Sequence, residues 1–124
     1  MASGQQTPAT PLEVVQHLSR LTEELRGLVQ AYAQAEKDAA EKRHAADMIE
    51  SRAFLNADGA MEFRKHTSRV AAERQEGEAL VAEALVRVLK AKIRANETSI
   101  DVGRTYGATV RAEFKAMPYN SDGF

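Results

Sequence analysis

The sequence predicts an all-α protein, a long antiparallel helical hairpin of coiled-coil type. Two series of mainly apolar residues recur at alternating spacings of three and four, which keeps one stripe of a helix facing a partner helix. The first series is Val14, Leu18, Leu21, Leu25, Leu28, Tyr32, Ala35 and Ala39. The second series is Val86, Leu89, Ile93, Asn96, Ile100, Gly103, Gly107, Val110, Phe114 and Met117.

The composition agrees with extended helices in a reducing compartment. The chain has 124 residues, enough for one domain, and it contains neither Cys nor Trp. A cytoplasmic protein with no disulfide framework fits this composition. The chain shows no apolar run of membrane-spanning length and no signal-peptide pattern at its start. We therefore expect a cytoplasmic protein that makes no use of a membrane.

The first helix is predicted to begin at Pro11. Residues 1–10 are small and polar and are expected to form a disordered lead. Thr10 is a suitable N-cap, Pro11 suits the first helical position, and Glu13 completes a capping box. The helical pattern then continues to about Leu55 without a proline.

A turn is predicted at residues 56–59, where Gly59 follows Asn56 and Asp58. The chain should reverse there, and a second helix should start near Ala60. This helix either continues to Met117 or is kinked near Gly77. Residues 11–117 thus form the predicted hairpin, and residues 118–124 form a flexible tail behind Pro118.

Two long helices bury a stripe rather than a large core, so a homo-oligomer is expected to cover the remaining apolar surface. Asn96 is the polar member of its series, a type of residue that fixes register and helix number at a cost in stability. The predicted oligomer seam consists of Leu18, Leu21, Leu25, Leu28, Leu89, Ile93, Asn96, Ile100, Gly103 and Gly107.

Gly103 and Gly107 are unusual inside a helix, since together they lower its stability by about 2 kcal/mol relative to alanine. One interpretation is that another helix approaches closely at these two positions. The alternative is that the helix opens and exposes Tyr106 between Arg104 and Arg111. An aromatic ring flanked by arginines is typical of a single-stranded nucleic-acid contact.

The charges are unevenly distributed along the chain, although the net charge is only -1. Eight acidic and five basic residues lie between Glu13 and Glu50, whereas seven basic and three acidic residues lie between Arg87 and Met117. Either the acidic first helix attracts the basic last helix, or the basic helix binds phosphates. Arg64 and Lys65 form a further small basic cluster after the turn, a second candidate phosphate site.

No catalytic or metal-binding pattern emerges. Glu41 and His44 have the spacing of a di-iron motif, but the second Glu-x-x-His and the further carboxylates of such a site are missing. Residues 56–59 resemble the opening of a calcium loop, but Met61 and Thr67 occupy the positions that require Gly and Glu. We expect no metal, no cofactor and no enzymatic activity.

Residues 45–117 resemble phage recombination mediators of the UvsY type. The resemblance lies in a long helix, a short turn and a basic helix with a glycine–aromatic segment, and the run from Leu89 to Phe114 is similar to a C-terminal helix of small phage-encoded early proteins. It implies a helical oligomer in a bacterial host cytoplasm that binds single-stranded DNA and acts with a recombinase or a single-strand-binding protein. The residues implied in DNA contact are Arg64, Lys65, Lys90, Lys92, Arg94, Arg104 and Arg111.

The predicted function is therefore that of a non-enzymatic, oligomeric accessory protein that binds single-stranded nucleic acid, with Tyr106 as a further contact. The alternative is a coiled-coil structural or regulatory adaptor that binds another protein.

Overall fold

A computed structural model describes residues 10–117, which form three α-helices and no strand. The helices are α1 (Pro11–Asn56), α2 (Met61–Ala71) and α3 (Glu73–Ala116), which confirms the all-α prediction. None of these three helices carries an apolar stretch long enough to cross a membrane. The predicted disordered lead, apart from Thr10, and the predicted tail lie outside the described residues.

The chain divides into two compact units. Unit 1 combines Met1–Gly27 with Ile93–Phe124, and unit 2 is Leu28–Lys92. Each unit therefore contains one part of α1 and one part of α3, while the turn and α2 belong to unit 2.

The start of α1 is capped by Thr10. Its hydroxyl oxygen accepts the backbone N–H of Glu13 at 3.2 Å and donates to the Glu13 carboxylate at 2.9 Å. These bonds satisfy a donor that the first helical turn would otherwise leave unpaired. Pro11, which lacks an N–H, is the first helical residue.

The chain reverses within unit 2 between Asn56 and Met61. Gly59 adopts a φ of 105°, which glycine tolerates because it has no Cβ. After the turn, Arg64 donates to the carbonyl oxygen of Phe54 at 3.1 Å and stacks over the Phe54 ring at 4.4 Å from its centroid. Arg64 thus ties the first turn of α2 to the end of α1.

The break between α2 and α3 lies at Ala72, five residues before Gly77, where the sequence predicted a possible kink. Gly77 is an ordinary helical residue of α3. The buried Ser68 donates its hydroxyl to the carbonyl oxygen of Lys65 at 2.8 Å. Ala72 has a φ of -99° and a ψ of 4°, away from regular α-helical values, and its backbone N–H donates to the carbonyl oxygen of Ser68 at 3.2 Å.

In unit 1, α1 and α3 pack antiparallel through small residues on α3. Leu18 contacts Gly103, and one turn earlier on α1 Val14 contacts Gly107. Along these contacts the residue numbers on α1 decrease while those on α3 increase, so the two helix segments are antiparallel. Helix α3 remains closed through both glycines.

The core of unit 2 is built mainly from alanine. The small side chain lets helices approach closely, but it removes little apolar area from water. The buried apolar residues of unit 2 are Ala35, Ala39, Ala46, Ala72, Ala79 and Ala82. Polar contacts therefore carry a larger share of the specificity here.

Candidate nucleic-acid interface

Four basic side chains lie on one side of α3 in unit 1, and we call this set the basic side of unit 1. Their spacings of ten, seven and four residues keep them within about a third of the helix circumference. All of them are exposed. Two acidic residues, Glu97 and Asp101, lie on the same side. The basic side of unit 1 consists of Arg94, Arg104, Arg111 and Lys115.

Most of this positive charge is not neutralised by the chain. Arg94, Arg111 and Lys115 form no ion pair with any residue in the range 10–117. Arg104 lies 3.8 Å from Asp101, but both side chains are more than two-thirds exposed, so water and salt screen the pair. The basic side of unit 1 is consequently available to an anionic partner.

If the acidic first helix attracted the basic last helix, carboxylates of α1 would pair with basic residues of α3. The observed ion pairs between α1 and α3 have the opposite sense. Arg43 on α1 pairs with Glu76 and Glu83 on α3. Across the described ranges of both helices, no ion pair joins a carboxylate of α1 to a basic residue of α3. Of the two interpretations of the charge asymmetry, attraction between the acidic first helix and the basic last helix has no ion pair in its support among the described residues.

Arg43 forms the polar centre of unit 2. Its Nε and Nη2 donate to the two carboxylate oxygens of Glu83, both at 2.9 Å, and its Nη1 donates to Glu76 at 2.5 Å. The bond from Arg43 lowers the pKa of Glu83 below its usual value, and the two carboxylates raise the pKa of Arg43. Sequence reasoning missed this cluster because partners 33 and 40 residues away share no local pattern.

The other residues predicted to contact nucleic acid lie in unit 2 and divide into two groups. Lys90 and Lys92 are exposed and make no ion pair inside the described chain. Lys65 is exposed and lies 3.7 Å from Glu62. Arg64, in contrast, is half-buried and holds Phe54, so its role in the structure is to stabilise the turn.

Tyr106 does not lie between Arg104 and Arg111. Two residues along a closed helix are separated by roughly 200°, which places Tyr106 on the opposite side of α3 from Arg104. Its side chain is half-buried. The arrangement expected for an opened helix, with a base stacked between arginines, is therefore absent from α3 as described.

The predicted seam residues lie on the less exposed side of their helices. Within unit 1, Leu18 contacts Gly103, so at least this part of the seam is closed by the chain itself. Asn96 is 8% exposed, and its Oδ1 has no hydrogen-bond partner among the described residues. All ten are buried or half-buried: Leu18, Leu21, Leu25, Leu28, Leu89, Ile93, Asn96, Ile100, Gly103 and Gly107.

Further apolar surface of the described chain is exposed outside the seam. Fifteen large apolar side chains of the described chain are exposed. They include Leu55, Met61 and Phe63 around the turn and Val81, Leu85 and Val88 along α3.

Three surface hollows are each lined by side chains of one helix and do not form clefts between elements. One lies on α3 around Val102 and Tyr106, and two lie on α1, near Arg20 and near Phe54. In residues 10–117, His, Asp and Glu side chains form no group of three suited to hold a metal ion.

Comparison with known proteins returns no matching family model, curated protein or solved structure.

Proposed function

We propose that this chain is a non-enzymatic accessory protein that binds single-stranded nucleic acid through the basic side of unit 1. The supporting observation is that Arg94 and Arg111 are exposed and unpaired within residues 10–117. On a helix that is otherwise closed and packed, these charges form no ion pair with a described residue, although Nη1 of Arg111 lies over Gly107. The proposed active form is an oligomer of helical hairpins, with no cofactor and no catalytic step.

The physical basis is the exchange of condensed counterions for protein charges. Guanidinium groups spaced along one side of the helix would contact phosphates of a flexible strand, and released counterions supply the free energy. One chain offers only a few such contacts, so its affinity should be low. Several copies held together raise the effective affinity by multivalency.

The resemblance to UvsY-type mediators extends this proposal to recombination. In that setting, the bound strand would be handed to a recombinase in the presence of a single-strand-binding protein. The extension rests on the resemblance alone, whereas strand binding also draws on the exposed arginines.

The direct experiment replaces Arg94, Arg104 and Arg111 together with serine. Binding of a labelled single-stranded oligonucleotide at low salt is then followed by fluorescence anisotropy. We expect the triple variant to lose binding while its helicity by circular dichroism is retained, because none of the three residues holds the fold. Unchanged binding by this variant contradicts the proposed site.

A matched control removes the same charge elsewhere. Arg20, Lys37 and Arg52 are exposed on α1 and form no ion pair within the described chain. Their joint replacement with serine should reduce binding only slightly. Equal losses in both triple variants would show a general charge effect and no defined interface.

Salt dependence and Tyr106→Ala define the mode of contact. Phosphate contacts predict that the logarithm of the binding constant falls linearly with the logarithm of salt concentration. Because Tyr106 lies away from Arg104, we expect Tyr106→Ala to bind like the wild type. A loss of roughly 1–3 kcal/mol would show that a base stacks there.

A second candidate function is that of an adaptor that binds another protein. The observation in its favour is the exposed apolar group at the turn of unit 2, where Leu55, Met61 and Phe63 are 74%, 54% and 61% exposed. Exposed apolar patches commonly mark protein interfaces. Failure of the wild-type chain to shift an oligonucleotide at low salt would favour this function.

A further inference from the structure

A further series with heptad-like spacing, distinct from the two described above, runs along the outer side of α3 in unit 2. Its six residues are spaced 4, 3, 4, 3 and 4, like the buried seam, but they occupy a different side of the helix. All six are exposed. We call this series the outer stripe: Arg74, Glu78, Val81, Leu85, Val88 and Lys92.

The middle of the outer stripe is apolar and exposed. Val81, Leu85 and Val88 are 72%, 49% and 50% exposed. The neighbouring side of the same helix segment is also apolar, because Ala79 and Ala82 are buried within unit 2. A helix that is apolar over so wide an arc is typically covered across all of it. The outer stripe therefore lacks a partner in the single chain.

Two residues of opposite charge flank the apolar centre of the outer stripe at equal distances, and Arg74 lies one turn beyond the acidic one. Glu78 lies seven residues before Leu85, and Lys92 lies seven residues after it. Lys92 makes no ion pair in the part of the chain described, and Glu78 lies 4.0 Å from the highly exposed Arg74. Both charged groups are accessible from outside.

This symmetry matches a second copy of the same stripe. In an antiparallel pair centred on Leu85, Glu78 of each copy lies beside Lys92 of the other, which gives two equivalent opposite-charge contacts. In a parallel pair in register, each residue would meet its own like charge, which is unfavourable. A two-fold axis through a self-complementary patch is the commonest symmetry of homodimers.

We propose that a second copy of this chain docks antiparallel on the outer stripe, with Leu85 at the two-fold axis. This inference rests on the assembly part of the proposed function and is independent of strand binding. Val81, Leu85 and Val88 supply the apolar centre, while Glu78 and Lys92 set the direction. The structure assigns this role to residues outside the seam from which an oligomer was predicted.

A charge swap tests the proposal. The mass of the full chain is followed by sedimentation in the absence of nucleic acid for the wild type, Glu78→Lys, Lys92→Glu and the double variant. Each single change turns two attractions into repulsions and should weaken the dimer by about tenfold. The double variant should regain wild-type association, because the opposite charges then face each other again.

The apolar centre is tested by Leu85→Ser, which should give a monomer with unchanged helicity. Val102→Ser is the matched control, because Val102 is a 63% exposed apolar residue on the part of α3 that belongs to unit 1. It should associate like the wild type.

Two outcomes would overturn the inference. If the wild type forms oligomers that none of these variants weakens, the outer stripe is not the interface, although the chain still assembles. A wild-type monomer at tens of micromolar would remove both the interface and the assembly part of the proposed function. Strand binding by the monomer would still be measured separately.

Discussion

Leu18 occupies the space that a side chain at position 103 would need. A Cβ on Gly103 would lie 2.8 Å from Cδ2 of Leu18, closer than real Cβ contacts allow. Val14 stands in the same relation to Gly107 one turn away. The two glycines, which lower the propensity of α3 to be helical, are thus explained by the approach of α1.

Gly103→Leu should destabilise the fold by about 1–3 kcal/mol, because the larger side chain must displace Leu18 and strain the packing. Thermal unfolding followed by circular dichroism measures the effect. The expected sign is opposite to that of helix propensity alone, which favours leucine over glycine.

Gly27→Leu is the matched control. Gly27 is an exposed glycine of α1, also in unit 1, with open space around its Cβ position. The same substitution should therefore raise stability by up to about 1 kcal/mol. If both variants moved the melting temperature in the same direction, close packing at Gly103 would not be the cause of the effect.

Asn96→Leu should raise the stability by about 1–3 kcal/mol, since it removes a buried amide oxygen that has no partner among residues 10–117. Asn96→Ala should also raise the stability, and it adds no side-chain volume at this position. Asn96→Asp should have the opposite effect, because a buried charge without a partner is unfavourable. Denaturant unfolding compares the three variants.

The assembly state of Asn96→Leu is a separate measurement. Because Asn96 is buried within unit 1, we expect the mass distribution by light scattering to match that of the wild type. A broadened distribution would instead place Asn96 between chains, the role predicted from the sequence.

Stability should fall in acid through the Arg43 cluster. The pKa of Glu83 is lowered in the folded chain by the bond from Arg43. Its contribution is therefore fully present above the unfolded pKa, about 4.3, and is lost as pH falls through the lower folded value. Glu83→Gln should be less stable than the wild type at pH 7, and the difference should shrink toward pH 3.

Glu97→Gln controls for the general effect of removing a carboxylate. Glu97 is exposed and forms no ion pair with a described residue. The melting temperature of the Glu97→Gln variant should follow that of the wild type at every pH. A pH-independent gap for Glu83→Gln would argue against the ion pair as its source.

Arg64→Met should destabilise the chain by about 1–2 kcal/mol, because both the ring contact and the bond to the Phe54 carbonyl oxygen disappear. Lys65→Met, one residue further on at an exposed position, should change the melting temperature little. Strand binding by Arg64→Met should equal that of the wild type once folding is complete. If Arg64→Met lost strand binding while keeping wild-type stability, Arg64 would belong to the nucleic-acid interface.

The parts of this fold that could be predicted are those that a local sequence pattern specifies. The spacing from Val14 onward indicated the buried side of α1, and the glycines at 103 and 107 left open either a close approach or an opened helix. The end of α2 could not be placed, because no local pattern marks Ala72 and Gly77 gave the more obvious signal.

The candidate site was predictable in composition but not in arrangement. Arg94, Arg104 and Arg111 stand out by charge, whereas the separation of Tyr106 from them depends on α3 staying closed. The structural role of Arg64 depends on a contact with Phe54 across the turn. The outer stripe was not predicted, because the second apolar series begins only at Val86, after Val81 and Leu85.

The turn also sets an order of folding. Phe54 and Arg64 are ten residues apart, Arg43 and Glu76 are 33 apart, and Val14 meets Gly107 from almost the opposite end of the described chain. Loop-closure entropy grows with these separations, so folding should begin at the reversal and close progressively toward the termini. The arginines of unit 1 belong to the last segment to close and the first to open. A strand bound to these arginines would therefore contact the part of the chain that unfolds most readily.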